Sequence, residues 1–417
     1  MTNTTIANLR TMHLQTRRKK LPERVDEFSR FMSDLQHTYR RTVYSASERE
    51  VEVVDPLTHL PRRMLMFASN NYLGLANHPY VIQQVKKAMD RYGAGIGGPP
   101  LLNGYVKLIE ETEDRMAAFK QQESAMLFSS GFMTNLGILG ALAEHRDSII
   151  YDELSHASFY DGLMTTRAKS HILRHNDVSH LSQLLESYGA DTEGSVYVCV
   201  EGVYSMDGDM APLDEIAALC LQYGAALIVD DAHGTGVLGE GGRGTASHLN
   251  CEKEIALSMG TFSKVFATCG GFVAASKPLV EYMRYYARPY MFSASIPPPV
   301  AATVLAGLEV MEREPWLRIE LFQNMAYAVG KLRHLGLYAE PQAAILTLAI
   351  PAGMDIRKAA WLLHQKGIFV NSVEYPAVPA NKQRFRVSLM ATHTKEDIDR
   401  LATALDEVWN DPSAYPL

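Results

Sequence analysis

Residues 225–236, AALIVDDAHGTG, decide how this chain folds. Ala225 to Val229 are apolar without alternation, and the run stops at Asp230, Asp231 and His233. A strand that is apolar on both faces belongs inside a sheet covered by helices on each side, as in mostly parallel α/β sheets. Six other runs read as strands, and most of them are likewise near-continuously apolar: ESAMLFSS (123–130), DSIIYDE (147–153), SHILRHN (170–176), SVYVCVEG (195–202), IALSMGTFSK (255–264) and CGGFVAAS (269–276). Amphipathic helical stretches separate most of them. The expected fold is α/β, built on a large, mostly parallel seven-stranded sheet, with its chemistry where the carboxyl ends of strands open into loops.

Composition narrows the function. The 417 residues are 47% hydrophobic and 21% charged, a globular balance long enough for two or three packed units. A formal net charge of -7 argues against a chain-wide basic surface for nucleic acid. Cys199, Cys220, Cys251 and Cys269 are far apart and show no metal-ligand spacing, so they read as reduced core thiols and no metal site is expected. The chain has neither a long uninterrupted apolar stretch nor an N-terminal apolar leader, so a cytoplasmic protein is expected.

Three regions follow from the patterning. Residues 1–62 read as a helical arm followed by a small polar strand pair, EVEVVDPLTHLPRRMLMFAS, with Pro56 and Pro61 in its turn. The run Arg17-Arg18-Lys19-Lys20 reads as a solvated helix face, with membrane contact at most peripheral. Residues 63–300 form the large domain. Pro297-Pro298-Pro299 cannot sit inside a regular helix and marks a boundary, after which residues 301–417 form a smaller α/β domain.

One motif misleads. Gly93, Gly95 and Gly98 match G-x-G-x-x-G, but a dinucleotide loop needs a strand before it and a helix opening at its last glycine. Here an amphipathic helix precedes the glycines and Pro99-Pro100 follows them, so the reading fails on both sides.

A second constellation is better supported. Lys264 lies at a strand end among Thr261 and Ser263, where a lysine with a lowered pKa suits Schiff-base chemistry. Pyridoxal 5'-phosphate requires such an amine, a carboxylate at the ring nitrogen, phosphate donors and a flat group against the ring. Asp230 supplies a carboxylate. Gly131 and Phe132 open a helix whose N–H groups suit phosphate, Thr261 and Ser263 add hydroxyls, and His156 offers a flat ring. Each residue alone also has a purely structural reading, as a cap or a turn. Their joint order at successive strand ends does not.

Eight segments carry a family resemblance: SNNYLGLANHP, LFSSGFMTNLG, DELSHASFYDG, EGVYSMDGDMAPL, IVDDAHGTGVLGEGGRGTASH, MGTFSKVFATCGGFVAA, FSASIPPP and RFRVSLMATHT. From about residue 60 onward the chain resembles the α-oxoamine synthases, fold-type I pyridoxal-phosphate transferases. The resemblance implies that Lys264 is the Schiff-base lysine, Asp230 the ring-nitrogen partner and His156 the stacking histidine, which also contacts the substrate carboxylate. It places Ser205 and His233 near the phenolic oxygen of the cofactor, and Gly131, Phe132, Thr261 and Ser263 at its phosphate. It further implies a homodimer with shared sites, Ser293 or Ser295 coming from the partner subunit, and it assigns Asn70 and Arg386 to the amino-acid substrate.

The reaction so implied joins an amino acid to an acyl thioester, on coenzyme A or an acyl carrier protein, with loss of carbon dioxide. The C-terminal stretch GIFVNSVEYPAVPANKQRFRVSLMATHT looks closest to bacterial serine palmitoyltransferases, which implies serine and a long acyl chain. Alternatives within the family are alanine with a pimeloyl thioester, as in 8-amino-7-oxononanoate synthase, or a secondary-metabolite synthase. Family members commonly carry Ser-Arg or a similar pair where this chain has Pro99-Pro100, a departure that bears on substrate choice.

Overall fold

A computed structural model of the chain describes residues 20–33, 39–189, 193–374 and 378–415. In chain order the strands are β1 (Glu50–Val54), β2 (Pro61–Met66), β3 (Ser124–Phe128), β4 (Ser148–Asp152), β5 (Lys169–Leu173), β6 (Val196–Glu201) and β7 (Ala226–Asp230). They continue with β8 (Leu257–Thr261), β9 (Gly271–Ala275), β10 (Ile345–Ala349), β11 (Ile368–Phe369), β12 (Asn371–Val373) and β13 (Arg384–Ser388). The described residues divide into two compact units. One takes the chain up to Ser69, the short piece Met206–Gly208 and Ile319 onward; the other takes Asn70–Ser205 and Asp209–Arg318.

The second unit holds the seven-stranded sheet in the order β3-β9-β8-β7-β6-β4-β5. Neighbours from β8 through β5 pair parallel, while β9 runs antiparallel to both β8 and β3. Each of the seven apolar runs became one of these strands. The reason is visible residue by residue. On β6, Cys199 enters one core while Val198 and Val200 enter another, and on β7 Ile228 joins the first while Leu227 and Val229 join the second. Side chains that alternate between two apolar cores produce an unbroken apolar run. Full burial of one such side chain contributes about 1.5–3 kcal/mol.

The same alternation separates the two aspartates after Val229. Asp230 follows Ile228 toward the first core, which contains Ile138 and Leu139 of the helix Gly131–Leu142. Asp231 turns the other way. There its carboxylate accepts from Lys120 Nζ at 2.9 Å and from the Thr245 hydroxyl at 2.7 Å, a buried anchor for the turn after β7.

Gly93 caps the helix Pro79–Tyr92, so the glycine-rich stretch does follow a helix. A Cβ on Gly98 would fall 1.8 Å from Asn103 Oδ1, and one on Gly104 would fall 2.3 Å from the Gly98 carbonyl oxygen. The loop folds on itself rather than cradling a ligand phosphate.

The prolines at 297–299 open a helix instead of ending the large unit. Pro297 is the N-cap of Pro298–Arg313, where the missing N–H groups have no intrahelical partner to lose. This helix belongs to the same unit as the seven-stranded sheet.

In the first unit β1 and β2 pair antiparallel and β11 joins β2 parallel. The strand pair is not polar throughout: Val51, Val53, Met64 and Met66 are buried, because one face of the hairpin carries these apolar residues. Pro61 begins β2 rather than lying in the turn, a position that a proline tolerates at a strand's first residue. Of the basic run, Arg17 to Lys19 lie outside the described residues; the helix that follows is Leu21–Ser33. A second small sheet, in the order β10-β13-β12, is antiparallel. Among the described residues no helix is long and apolar enough to cross a membrane.

His393 fixes the turn after β13. Its Nδ1 accepts from the Met390 N–H at 3.0 Å, its Nε2 lies 3.1 Å from the Met66 carbonyl oxygen, and Phe67 stacks on the ring at 4.4 Å. Burial depresses its pKa to about 4, with Asp397 opposing the shift. The unfolded state takes up a proton near the ordinary value, so this contribution is complete above about pH 6.5 and fades as pH falls toward 4. The expected loss is on the order of 3 kcal/mol. Thermal unfolding between pH 7 and 4, with NMR titration of His393, checks it; titration near 6.5 would contradict it.

Candidate active site

The carboxyl ends of β6, β7 and β8 set three polar positions in a row. Glu201 lies opposite Asp230 in the ladder, and Asp230 lies opposite Met259 two residues before Thr261. Together with the N-terminus of the helix Gly131–Leu142 and the turn 262–270, they line a cleft of about 280 Å³. It gathers Gly131, Phe132, His156, Ser205, Asp230, His233, Thr261, Ser263 and Lys264.

Asp230 sits at the floor, 5% exposed. One carboxylate oxygen accepts from Asn135 Nδ2 at 2.8 Å and the other from the Ala232 N–H at 3.1 Å. Burial raises its pKa, with the Asn135 hydrogen bond and His156 opposing the shift. Glu201, also buried, accepts from the Ser205 N–H at 3.3 Å on one oxygen, while the other has no hydrogen-bond partner. Burial and the adjacent Asp230 push the Glu201 pKa well up, which favours the protonated acid.

His156 caps the helix Ala157–Leu163, and Phe132 meets its ring edge-on at 6.3 Å between centroids. Burial lowers its pKa, with Asp230 opposing and Lys264 reinforcing the shift. Across the cleft, His233 Nδ1 lies 2.7 Å from the Tyr72 hydroxyl, which in turn lies 3.1 Å from Asn70 Oδ1. Asn70 is therefore not a lining residue but is tied to one through Tyr72.

At the far end, the Thr261 and Ser263 hydroxyls are 2.9 Å apart beside the helix N-terminus. A Cβ on Gly131 would come within 2.8 Å of the Thr261 side chain, so only glycine lets the first helical N–H groups open there. Ser130 caps this helix through Met133 N, leaving Gly131 and Phe132 to present theirs outward. Lys264 is half-buried in the turn after β8.

Pyridoxal phosphate fits this donor set. A buried carboxylate that is costly to ionise alone is offset by a cationic ring nitrogen, and a helix N-terminus with two hydroxyls suits the phosphate dianion. The residues that would hold it are those of the cleft.

Not every expected residue lies there. Ser293 and Ser295 are outside the lining; Ser295 donates its N–H to the Gly98 carbonyl at 3.0 Å while its hydroxyl has no partner. Arg386 lies buried on β13 in the first unit, donating to Ser388 Oγ at 3.0 Å. Cys269 is a correction. Cys199, Cys220 and Cys251 are buried, but Cys269 is exposed and lines the cleft, because the chain there is a turn leading into Gly270 rather than a strand interior.

Asn135, Ser158, Tyr72 and Glu201 were not singled out from the sequence. Glu201 carried the same signal as Asp230, the first polar residue after an apolar run. Asn135 stands one helical turn beyond Gly131, within the segment LFSSGFMTNLG.

Comparison with known proteins agrees with this geometry. The profile of the family described as "Aminotransferase class I and II" matches residues 62–405. A serine palmitoyltransferase of Bacteriovorax stolpii is 38% identical over 347 residues, 83% of this chain and 82% of that protein. An 8-amino-7-oxononanoate synthase of Bacillus pumilus (strain SAFR-032) is 37% identical over 345 residues, 82% of this chain and 88% of that protein. Among solved structures, Sphingomonas wittichii serine palmitoyltransferase aligns with a TM-score of 0.87 at 32% identity, covering 95% of this chain and 98% of its own. A serine palmitoyltransferase variant from S. paucimobilis with bound PLP–myriocin aldimine gives 0.86 at 31% identity, covering 94% and 98%. The fold is that of the fold-type I pyridoxal-phosphate transferases, and the chain belongs to the class I and II aminotransferase family and, within it, to the pyridoxal-phosphate-dependent α-oxoamine synthases.

Proposed function

We propose that this enzyme condenses L-serine with a long-chain acyl thioester, releasing carbon dioxide and the thiol carrier and leaving an α-amino ketone. The observation that carries the reading is the cleft itself. It brings a lysine amine, a buried carboxylate and an imidazole to the ends of adjacent elements, in a chain that aligns over 95% of its length with a serine palmitoyltransferase.

When bound, pyridoxal phosphate supplies an electron sink for charge developing at the amino acid's α-carbon. The chain's own residues do the rest. Lys264 would hold the cofactor covalently until the amino acid's amine displaces it, and the freed amine would then take the α-proton and return one at the end. Asp230 would keep a positive charge on the ring nitrogen. Gly131 and Phe132 N–H groups with Thr261 and Ser263 would hold the phosphate, and Ser205 and His233 would flank the phenolic oxygen. His156 would lie against the ring, and Asn70 and Arg386 are the residues proposed to bind the amino-acid substrate. One carbon–carbon bond forms between the α-carbon and the acyl carbon as thiolate leaves. The bond from the α-carbon to the carboxylate then breaks.

A second copy of the chain would complete each site with Ser293 or Ser295 from its 292–295 segment. One feature supports this: the Phe292 ring beside Ser293 is 73% exposed. Alanine with a pimeloyl thioester is the second reading, favoured by the nearly equal identity to the oxononanoate synthase.

A screen of the amino acids for spectral change on the loaded enzyme, followed by thioesters of graded length with the best one, separates the two. Serine with chains near sixteen carbons supports the proposal; alanine with a short dicarboxylic thioester overturns it. Arg386→Ala is expected to raise the KM for the amino acid roughly 10- to 100-fold, the size of a lost charge-assisted pair, and to leave the thioester KM nearly unchanged. Steady-state constants with the opposite pattern would remove Arg386 from this role.

A further inference from the structure

A continuous hydrogen-bonded chain runs beneath the cleft from Asp230 to His156. Asn135 Nδ2 lies 2.8 Å from Asp230 Oδ2 and 2.9 Å from Ser158 Oγ, and Ser158 Oγ lies 2.8 Å from His156 Nδ1. Asn135 and Ser158 are each 1% exposed, so bulk water does not compete. We infer that Asn135 and Ser158 are positioning residues that lock His156 as the neutral tautomer protonated on Nε2 and tie its orientation to Asp230.

The direction of each bond follows from donor chemistry. The amide nitrogen of Asn135 can only donate, and its two protons go to Asp230 and Ser158. Turning the amide over would set its oxygen against the Asp230 carboxylate, acceptor against acceptor. Ser158 Oγ therefore accepts from Asn135 and spends its own proton on His156 Nδ1. A second donor decides the matter: the Ser158 backbone N–H, a donor in every state, also points at His156 Nδ1, at 3.3 Å. A proton on Nδ1 would face it head-on. Burial, which lowers the basicity of this imidazole, acts in the same sense. The geometry uses both amide protons of Asn135 while its oxygen stays unpartnered.

The consequence reaches the reaction, and this part rests on the reading that His156 faces cofactor and substrate. His156 offers a hydrogen-bond donor, Nε2–H, and cannot act as a base through Nδ1. It orients a carboxylate rather than taking a proton from substrate through that atom.

Neutron diffraction from deuterium-exchanged crystals, with and without pyridoxal phosphate, tests the inference independently of activity. Deuterium is expected on His156 Nε2, with the Ser158 hydroxyl deuterium pointing at Nδ1. Deuterium on Nδ1 overturns it. Ser158→Ala and Asn135→Leu, each of which removes two buried hydrogen bonds, are each expected to raise the amino-acid KM roughly tenfold or more, with the thioester KM unmoved. Equal changes in both constants, or none, would reduce the two residues to structural support. If neither variant folds, the wild-type neutron map still decides the tautomer. Correct deuterium positions in an enzyme inactive toward serine would retain the inference and reject the proposed function.

Discussion

Lys264→Ala is expected to abolish turnover, by about four orders of magnitude or more, while the protein folds and melts as before. The lysine is asked to do two jobs, covalent attachment and proton transfer, and positioned proton transfer alone is worth roughly 10²–10⁴ in rate. Lys264 is half-buried in the turn after β8, so truncation exposes cleft surface without opening a cavity among the residues that hold the sheet. Steady-state rates with a thermal melt check both halves. A wild-type rate in this variant would sink the site assignment, and loss of folding would show that the turn depends on the lysine.

Asp230→Asn is expected to cost roughly 10²–10⁴ in kcat, the magnitude of one well-placed electrostatic group, and at neutral pH to stabilise the cofactor-free protein. Burial raises the Asp230 pKa, and Glu201 sits opposite it in the ladder as a second buried acid. A carboxyl whose folded pKa is raised stabilises the protein below the unfolded value, near pH 4, and loses that contribution as pH rises through the folded pKa. At pH 7 the variant therefore escapes a penalty the wild type bears, and at pH 3 the two should melt alike. Activity with pyridoxal phosphate should move the other way, because the amide cannot keep the ring nitrogen cationic. An Asp230→Asn protein less stable at pH 7 would mean that the carboxylate is structural.

Much of the sheet was legible because its strands are short and, except for the edge strand β5, buried on both faces. Each run became one strand of β3 to β9, and on β6 and β7 the first polar residue, Glu201 and Asp230, marked the carboxyl end. The antiparallel direction of β9 was harder to see, although only residues 262–270 join it to β8, too short a connection for a parallel crossover. The C-terminal strands gave a weaker signal. β13, Arg384–Ser388, is buried along its whole length although it carries two arginines. Arg384 tolerates that place because Asp207 lies 2.5 Å from its guanidinium and Tyr338 stacks at 3.5 Å, partners distant in sequence.

The site divides in the same way. Lys264, Asp230 and His156 stand at strand ends or loop starts, where a polar residue interrupts an apolar pattern. Asn135 and Ser158 lie within helices, where a polar side chain breaks no pattern. Their roles appear only once the helix Gly131–Leu142 is set against β7. Tyr72 is hidden for another reason, being fully buried with only its hydroxyl reaching His233.

The central claim is the reaction class, and the stoichiometry of products tests it most directly. With carboxyl-labelled L-serine and palmitoyl coenzyme A, the account predicts one labelled carbon dioxide and one free thiol per turnover, and neither when either substrate is omitted. Transfer of the amino group to a 2-oxo acid with no thioester requirement would contradict it.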